Sequence, residues 1–65
     1  MRLKRVIIYP KDIQRITGKS ERYGRKLLRD IKGHLKKENH QFITISEFAN
    51  YAGLDKAEVE EFITD

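Results

Sequence analysis

Cysteine and tryptophan are absent from these 65 residues, and proline occurs once, at Pro10. Without cysteine there is no disulfide framework and no thiolate metal cage to support the chain. The absence fits a reducing compartment. No apolar run approaches the roughly 18 residues of a membrane span. The basic start, Met1 to Arg5, is followed by only four apolar residues, Val6 to Tyr9. That is too few for a leader's apolar stretch of about 7–15, so none is expected. Six aromatics are present, and Phe48, Tyr51 and Phe62 fall at core spacing. Too few remain for a base-stacking platform of the kind RNA-binding sheets use. There is no glycine-rich phosphate loop, and no serine stands in a local arrangement with histidine and carboxylate. The only histidines, His34 and His40 with Glu38 between them, match no closed metal site. Length alone excludes a large cofactor domain or a barrel, so the expectation is one domain, residues 1–65, with no enzymatic activity, metal or cofactor. A chain this short buries only about 60% of its unfolded surface, which makes its core marginal.

What the chain has is charge, unevenly placed. The net charge is +4, but residues 1–38 hold thirteen basic and four acidic residues, a net +9. Residues 39–65 hold Lys56 against Glu47, Asp55, Glu58, Glu60, Glu61 and Asp65, a net −5. A fold with one strongly basic half projects a positive field over one face, and nucleic acid is the commonest partner for such a face. The bland alternative is a solubilising surface.

Shifted by 35 residues, the chain falls on itself: Ile8 on Ile43, Asp12 on Glu47, Ile13 on Phe48, Ile16 on Tyr51, Gly18 on Gly53 and Ser20 on Asp55. Each unit reads as a short β-prone run, a short helix, a glycine stop and a capped second helix. The runs are 5–9 and 41–45, which could lie side by side as a small β-pair. The first helices are expected at 10–17 and 46–52, with Pro10 at a first helical position, where its missing N–H costs nothing, and Ser46 as an N-cap. Gly18 and Gly53 suit the left-handed residue that ends a helix. Ser20 and Asp55 can cap the second helices, and Glu58, three after Asp55, completes a capping box. Those second helices are expected at 20–36 and 55–63. The expected architecture is therefore mainly α: a small helical bundle of two units, 1–37 basic and 38–65 acidic. Core candidates are Ile8, Ile13, Ile16, Leu27, Leu28, Ile31, Leu35, Phe42, Ile43, Phe48, Val59, Phe62 and Ile63.

Helix 20–36 carries the most informative pattern. At about 100° per residue, Gly24, Leu27, Leu28, Ile31 and Leu35 share one arc. Arg22, Arg25, Lys26, Arg29, Lys32 and Lys36 fall on the opposite side, so one face is for burial and the other is a cationic stripe. Gly33 weakens the helix by up to about 1 kcal/mol relative to alanine, and could permit a bend or a close contact.

Helix, glycine turn, capped helix resembles the helix–turn–helix superfamily of DNA-binding proteins. Its pattern wants apolar residues at the fourth, eighth, tenth, fifteenth and eighteenth positions, a small fifth and a glycine ninth. Residues 45–62 match through Phe48, Ala49, Ala52, Gly53, Leu54, Val59 and Phe62. Residues 10–27 match more loosely: Ile13, Gly18 and Leu27 fit, whereas Gln14, Thr17 and Lys19 do not. Gly24 stands where a branched residue is usual, so a close helix crossing must supply that contact. The chain also resembles short bacterial helix–turn–helix proteins, and loosely the excisionases.

The resemblance implies that the start of a second helix faces base edges. The better-matching unit offers Asp55, Glu58, Glu60 and Glu61, which phosphates repel. DNA contact is therefore expected from helix 20–36. Arg22, Arg25 and Lys26 are base-edge candidates, arginine being suited to guanine O6 and N7. Lys19, Ser20, Tyr23, Arg29 and Lys32 are candidates for phosphate contacts that set register. Glu21 could accept from a cytosine amine, but reads better as a first-turn acid favoured by the helix dipole. The leading expectation is a cytoplasmic, sequence-specific binder of double-stranded DNA, as a small transcriptional regulator or recombination accessory factor. Two other classes stay open: a protein-interaction module whose acidic helix 55–63 docks a partner or a second copy as a homodimer, and an RNA binder using the basic helix.

Overall fold

Pro10 opens a helix directly after the extended Tyr9, and Gly18 closes it in the left-handed conformation at φ 76°. In the computed structural model, which describes residues 5–63, this is α1 (Pro10–Thr17). Arg2 and Lys4 of the basic run and Asp65 of the acidic one lie outside the described residues. Ser20 caps α2 (Glu21–Leu35), its Oγ accepting from the Tyr23 amide at 3.1 Å. α3 (Ile45–Ala52) ends at Gly53, again at φ 76°. α4 (Lys56–Glu60) follows Asp55, whose amide donates to Glu58 Oε1 at 3.1 Å. α1 packs on α2 and α3 on α4. The result is a small helical bundle, mainly α, as the periodicity predicts.

Two helix boundaries differ from expectation. α3 is capped by Thr44 rather than Ser46. The Glu47 amide donates to Thr44 Oγ1 at 3.0 Å, while the Thr44 amide donates to Glu47 Oε1 at 2.9 Å. This reciprocal box satisfies two orphan donors, and a cap at Ser46 would put Ala49 where the returning acid must be. α4 stops at Glu60 rather than running to 63. Its last turn tightens, with Phe62 N donating to Val59 O at 3.0 Å and Ile63 N to Glu60 O at 3.1 Å. Glu60 and Glu61 sit at the negative end of the helix dipole, where carboxylates are unfavourable.

The Thr44 amide, and after it the Lys37 ammonium at 3.0 Å, hold the Glu47 carboxyl below the usual glutamate range against the opposing effect of burial. A carboxylate lowered on folding stabilises above its unfolded pKa, about 4.3, and that contribution is lost as pH falls through the lowered folded value. Glu47→Gln keeps an acceptor for the Thr44 amide but loses the charge. The melting-temperature gap between the two proteins should be open at neutral pH and should narrow progressively as pH falls below the unfolded value of about 4.3. A constant gap across that range would contradict the assignment.

The two β-prone runs do lie side by side, but they make a single antiparallel bridge, Ile7 opposite Thr44. Ile8 N donates to Ile43 O at 3.1 Å and Ile45 N to Val6 O at 2.7 Å. This register sets Ile8 opposite Ile43, its own counterpart in the 35-residue shift, as in a local two-fold arrangement. The two-fold mate of the Ile45 bond would run from Pro10 to Gln41, and proline has no N–H to give. The ladder therefore ends where the helices begin.

One core joins both halves: Ile8, Ile13 and Ile31 from the first, Ile43, Ile45, Phe48, Ala49 and Val59 from the second. Ile16, Leu27, Leu28 and Ile63 are partly buried against it. Three core candidates are instead exposed: Leu35, Phe42 and Phe62. Leu35 is the last residue of α2, and the chain turns away at Lys36, which adopts φ 58°. Phe42 precedes the buried Ile43 in an extended run, where successive side chains alternate sides. Phe62 follows the shortened α4 and stays on the surface. Tyr51 is also exposed, its ring edge-on to His34 at 5.2 Å. Gly24 does mark a close crossing: a Cβ there would lie 2.7 Å from the Pro10 carbonyl oxygen. Gly33 makes no close contact, since nothing lies within 4 Å of its would-be Cβ.

Candidate nucleic-acid interface

The orientation of α2 follows from its buried side. Gly24 and Ile31 are buried, with Leu27 and Leu28 partly so, all turned toward α1 and the core. The helical period then turns Arg22, Arg25, Lys26 and Arg29 outward, and all four are exposed. With Ser20 and Tyr23 they line one shallow depression along the first turns of the helix. Six of the eight sequence candidates are thus brought together on one surface. Lys19 adjoins it, its ammonium 5.4 Å from the centre of the Tyr23 ring.

Lys32 is placed differently. Its Nζ donates to the Asn39 carbonyl at 2.9 Å, which draws it off the stripe toward the loop after α2. There it joins Arg25, Arg29, Leu28, Tyr9 and Phe42 along a second groove.

Two members of the stripe hold acids of their own helix. Arg25 pairs with Glu21 at 3.3 Å and Lys26 with Asp30 at 3.6 Å. Both pairs are solvent-exposed and span one turn, the kind worth only a few tenths of a kcal/mol. A phosphate or a base edge can replace either acid at little cost. Arg22 and Arg29 make no ion pair among the described residues. The Arg25 pair holds Glu21, in the first turn of α2, against its own helix.

Sequence reasoning did not find how α1 is anchored. Asp12 is 1% exposed, and its carboxylate accepts from both Arg5 terminal nitrogens, from Arg15 Nη1 at 3.1 Å and from the Tyr9 amide at 2.8 Å. The Arg5 guanidinium also lies over the Tyr9 ring, 4.6 Å from its centre. The bond from the Tyr9 amide matches the one that Glu47, the counterpart of Asp12 in the 35-residue shift, accepts from Thr44, and that shared position is the signal that could have found it. The Arg5 contact has no such signal, because it depends on how the β-run meets α1. Arg5 is therefore structural, and its charge is balanced by Asp12 within the net +9 of the basic half.

The acidic unit presents the opposite surface. On and after α4, Asp55, Glu58 and Glu61 are exposed beside Lys56. No helix among the described residues is long and apolar enough to cross a membrane. The chain matches no protein family, no curated protein and no solved structure.

Proposed function

We propose that this chain binds double-stranded DNA in a sequence-specific way, with α2 as a recognition helix in the major groove. The observation that carries this reading is the exposed cationic depression at the start of α2, opposite the face that α1 and the core bury. A capped helix following a glycine turn presents its first turns outward, which is where a helix–turn–helix protein meets base edges. Arg22, Arg25 and Lys26 are the base-edge residues. Ser20, Tyr23, Arg29 and Lys19 flank them and contact phosphates, with Lys32 at the edge. The role is that of a small cytoplasmic regulator or recombination accessory factor, not of an enzyme.

The roles along the stripe are unequal, and that is testable. Arg25→Ala should cost about 1–3 kcal/mol of binding and relax preference at about one or two base pairs. Arg29→Ala should weaken binding to all duplexes alike and lower the salt slope by about one. Reversing the charge of Lys56, on α4, should change little. Selection from random duplexes with each variant separates these effects. If Arg22, Arg25 and Arg29 prove interchangeable, each altering only the salt dependence, the chain is a nonspecific polyanion binder and the recognition reading fails.

A further inference from the structure

The groove beside α2 has a chemistry that a DNA-facing stripe does not require. Its floor is apolar, with Ile8, Leu28 and Ile43. One wall is cationic, with Arg25, Arg29 and Lys32, and the other carries Phe42 and Tyr9. Phe42 is 61% exposed and Tyr9 45%. The Phe42 wall is fixed rather than loose: Lys37 Nζ donates to the Phe42 carbonyl at 3.0 Å, and Lys32 ties down Asn39. Phosphates would use the cations and leave the aromatic wall idle. The natural occupant is an acidic segment that also carries exposed apolar side chains.

The same chain displays such a segment at its other end. Glu58, Glu61 and Phe62 lie within one turn of each other and are all exposed, with exposed Leu54 just before the helix. Glu61 makes no ion pair among the described residues. Acids match the cationic wall, and Phe62 and Leu54 match the apolar floor and Phe42. We infer that the groove formed by α2 and the 36–43 loop docks the acidic α4 end of a second copy of this chain. The groove and the α4 end are different surfaces, so the contact either closes, as a reciprocal pair or a ring, or leaves a free groove and a free end on an open chain. Arg25 and Arg29 belong to both the groove and the stripe, so docking and duplex binding draw on the same cations.

Sedimentation of the full chain without DNA tests this. At micromolar concentration and low salt the wild type should exceed monomer mass, and high salt should return it to monomer. Glu58→Lys with Glu61→Lys makes both surfaces basic, and Arg25→Glu with Arg29→Glu makes both acidic. Each double variant alone should be monomeric, and an equal mixture should associate again. Phe42→Ala and Phe62→Ala leave the charges intact, and each should weaken association at least tenfold. Circular dichroism confirms folding of each variant. A wild type that stays monomeric, or a mixture that does not associate, overturns the inference. So does unchanged association in both alanine variants, which would mean contact by charge alone. If the chain is monomeric yet binds duplex DNA, and Phe42→Ala weakens that binding, the groove belongs to DNA. The proposed function would then stand without the docking.

Discussion

An Asp12→Ala variant is expected to lose about 3–5 kcal/mol of stability, the range for removing one partner of a buried ion pair. Asp12 is the most buried charged residue described, at 1% exposure. Its carboxylate satisfies the Tyr9 amide, which has no helical acceptor at the start of α1, and the Arg5 guanidinium, whose side chain is 13% exposed. Alanine leaves that amide without its acceptor and removes both bonds that the guanidinium makes to Asp12. The cost combines the unsatisfied buried amide with the loss of the network's one buried carboxylate. Arg15 contributes less to the balance, because its side chain is 44% exposed and water can replace the carboxylate. Arg15→Ala should therefore cost under about 1 kcal/mol. Domains of this size hold a total of only about 3–10 kcal/mol, so Asp12→Ala should lose a large share of its stability. Urea denaturation followed by circular dichroism at neutral pH compares the two. Similar midpoints for Asp12→Ala and Arg15→Ala would show that the buried network does not anchor α1.

The second large effect is a pair of opposite signs from one substitution in one helix. Gly33→Ala should stabilise the protein by up to about 1 kcal/mol, the helix-propensity difference between the two residues. Nothing lies within 4 Å of a Cβ at that position. Gly24→Ala has the same propensity gain, but its Cβ would meet the Pro10 carbonyl oxygen at 2.7 Å and the Pro10 Cα at 3.1 Å. Backbone cannot rotate aside as a flexible side chain can, so α1 and α2 must separate. Overpacking of this kind costs about 1–3 kcal/mol, enough to outweigh the propensity gain. Gly24→Val should cost more than Gly24→Ala. For a domain of this length each kcal/mol moves the melting temperature by about 4–8 °C, so the alanine variants should fall on opposite sides of the wild type. Should Gly24→Ala melt at or above the wild type, the close crossing is not a constraint on the fold.

Much of this architecture is legible in the sequence because its determinants are local. Pro10, Gly18, Ser20, Gly53 and Asp55 act within one turn of themselves, and each stands at the helix end that its chemistry favours. The 35-residue shift is legible too, and the bridge that sets Ile8 opposite Ile43 gives it a spatial meaning. Where the reading departs from the structure, a nonlocal or competing effect decides. Ser46 and Thr44 are both good caps, and the returning Glu47 selects Thr44. Ile45 and Ala49 belong to the core although neither was counted there, because they share one helical face with Phe48 once α3 begins at Ile45. Leu35, Phe42 and Phe62 have apolar character, but each sits where the chain turns away from the core. At the candidate interface, periodicity suffices to put Arg22, Arg25, Lys26 and Arg29 on one surface. It does not reveal that Lys32 bonds to Asn39, nor that Arg5 is held against Asp12. Those contacts depend on how the segments before α1 and after α2 are folded back.

The central claim is that the exposed stripe of α2 contacts duplex DNA. The most direct test is the salt dependence of duplex binding, measured for the wild type and for a variant with Arg22, Arg25 and Arg29 all changed to alanine. Each lost phosphate contact should lower the slope of log K against log salt by about 0.9. The wild type should show steep salt dependence, and the variant a shallower slope with affinity reduced by at least two orders of magnitude, or roughly 3 kcal/mol. Equal affinity and equal slope in the two folded proteins would contradict the claim.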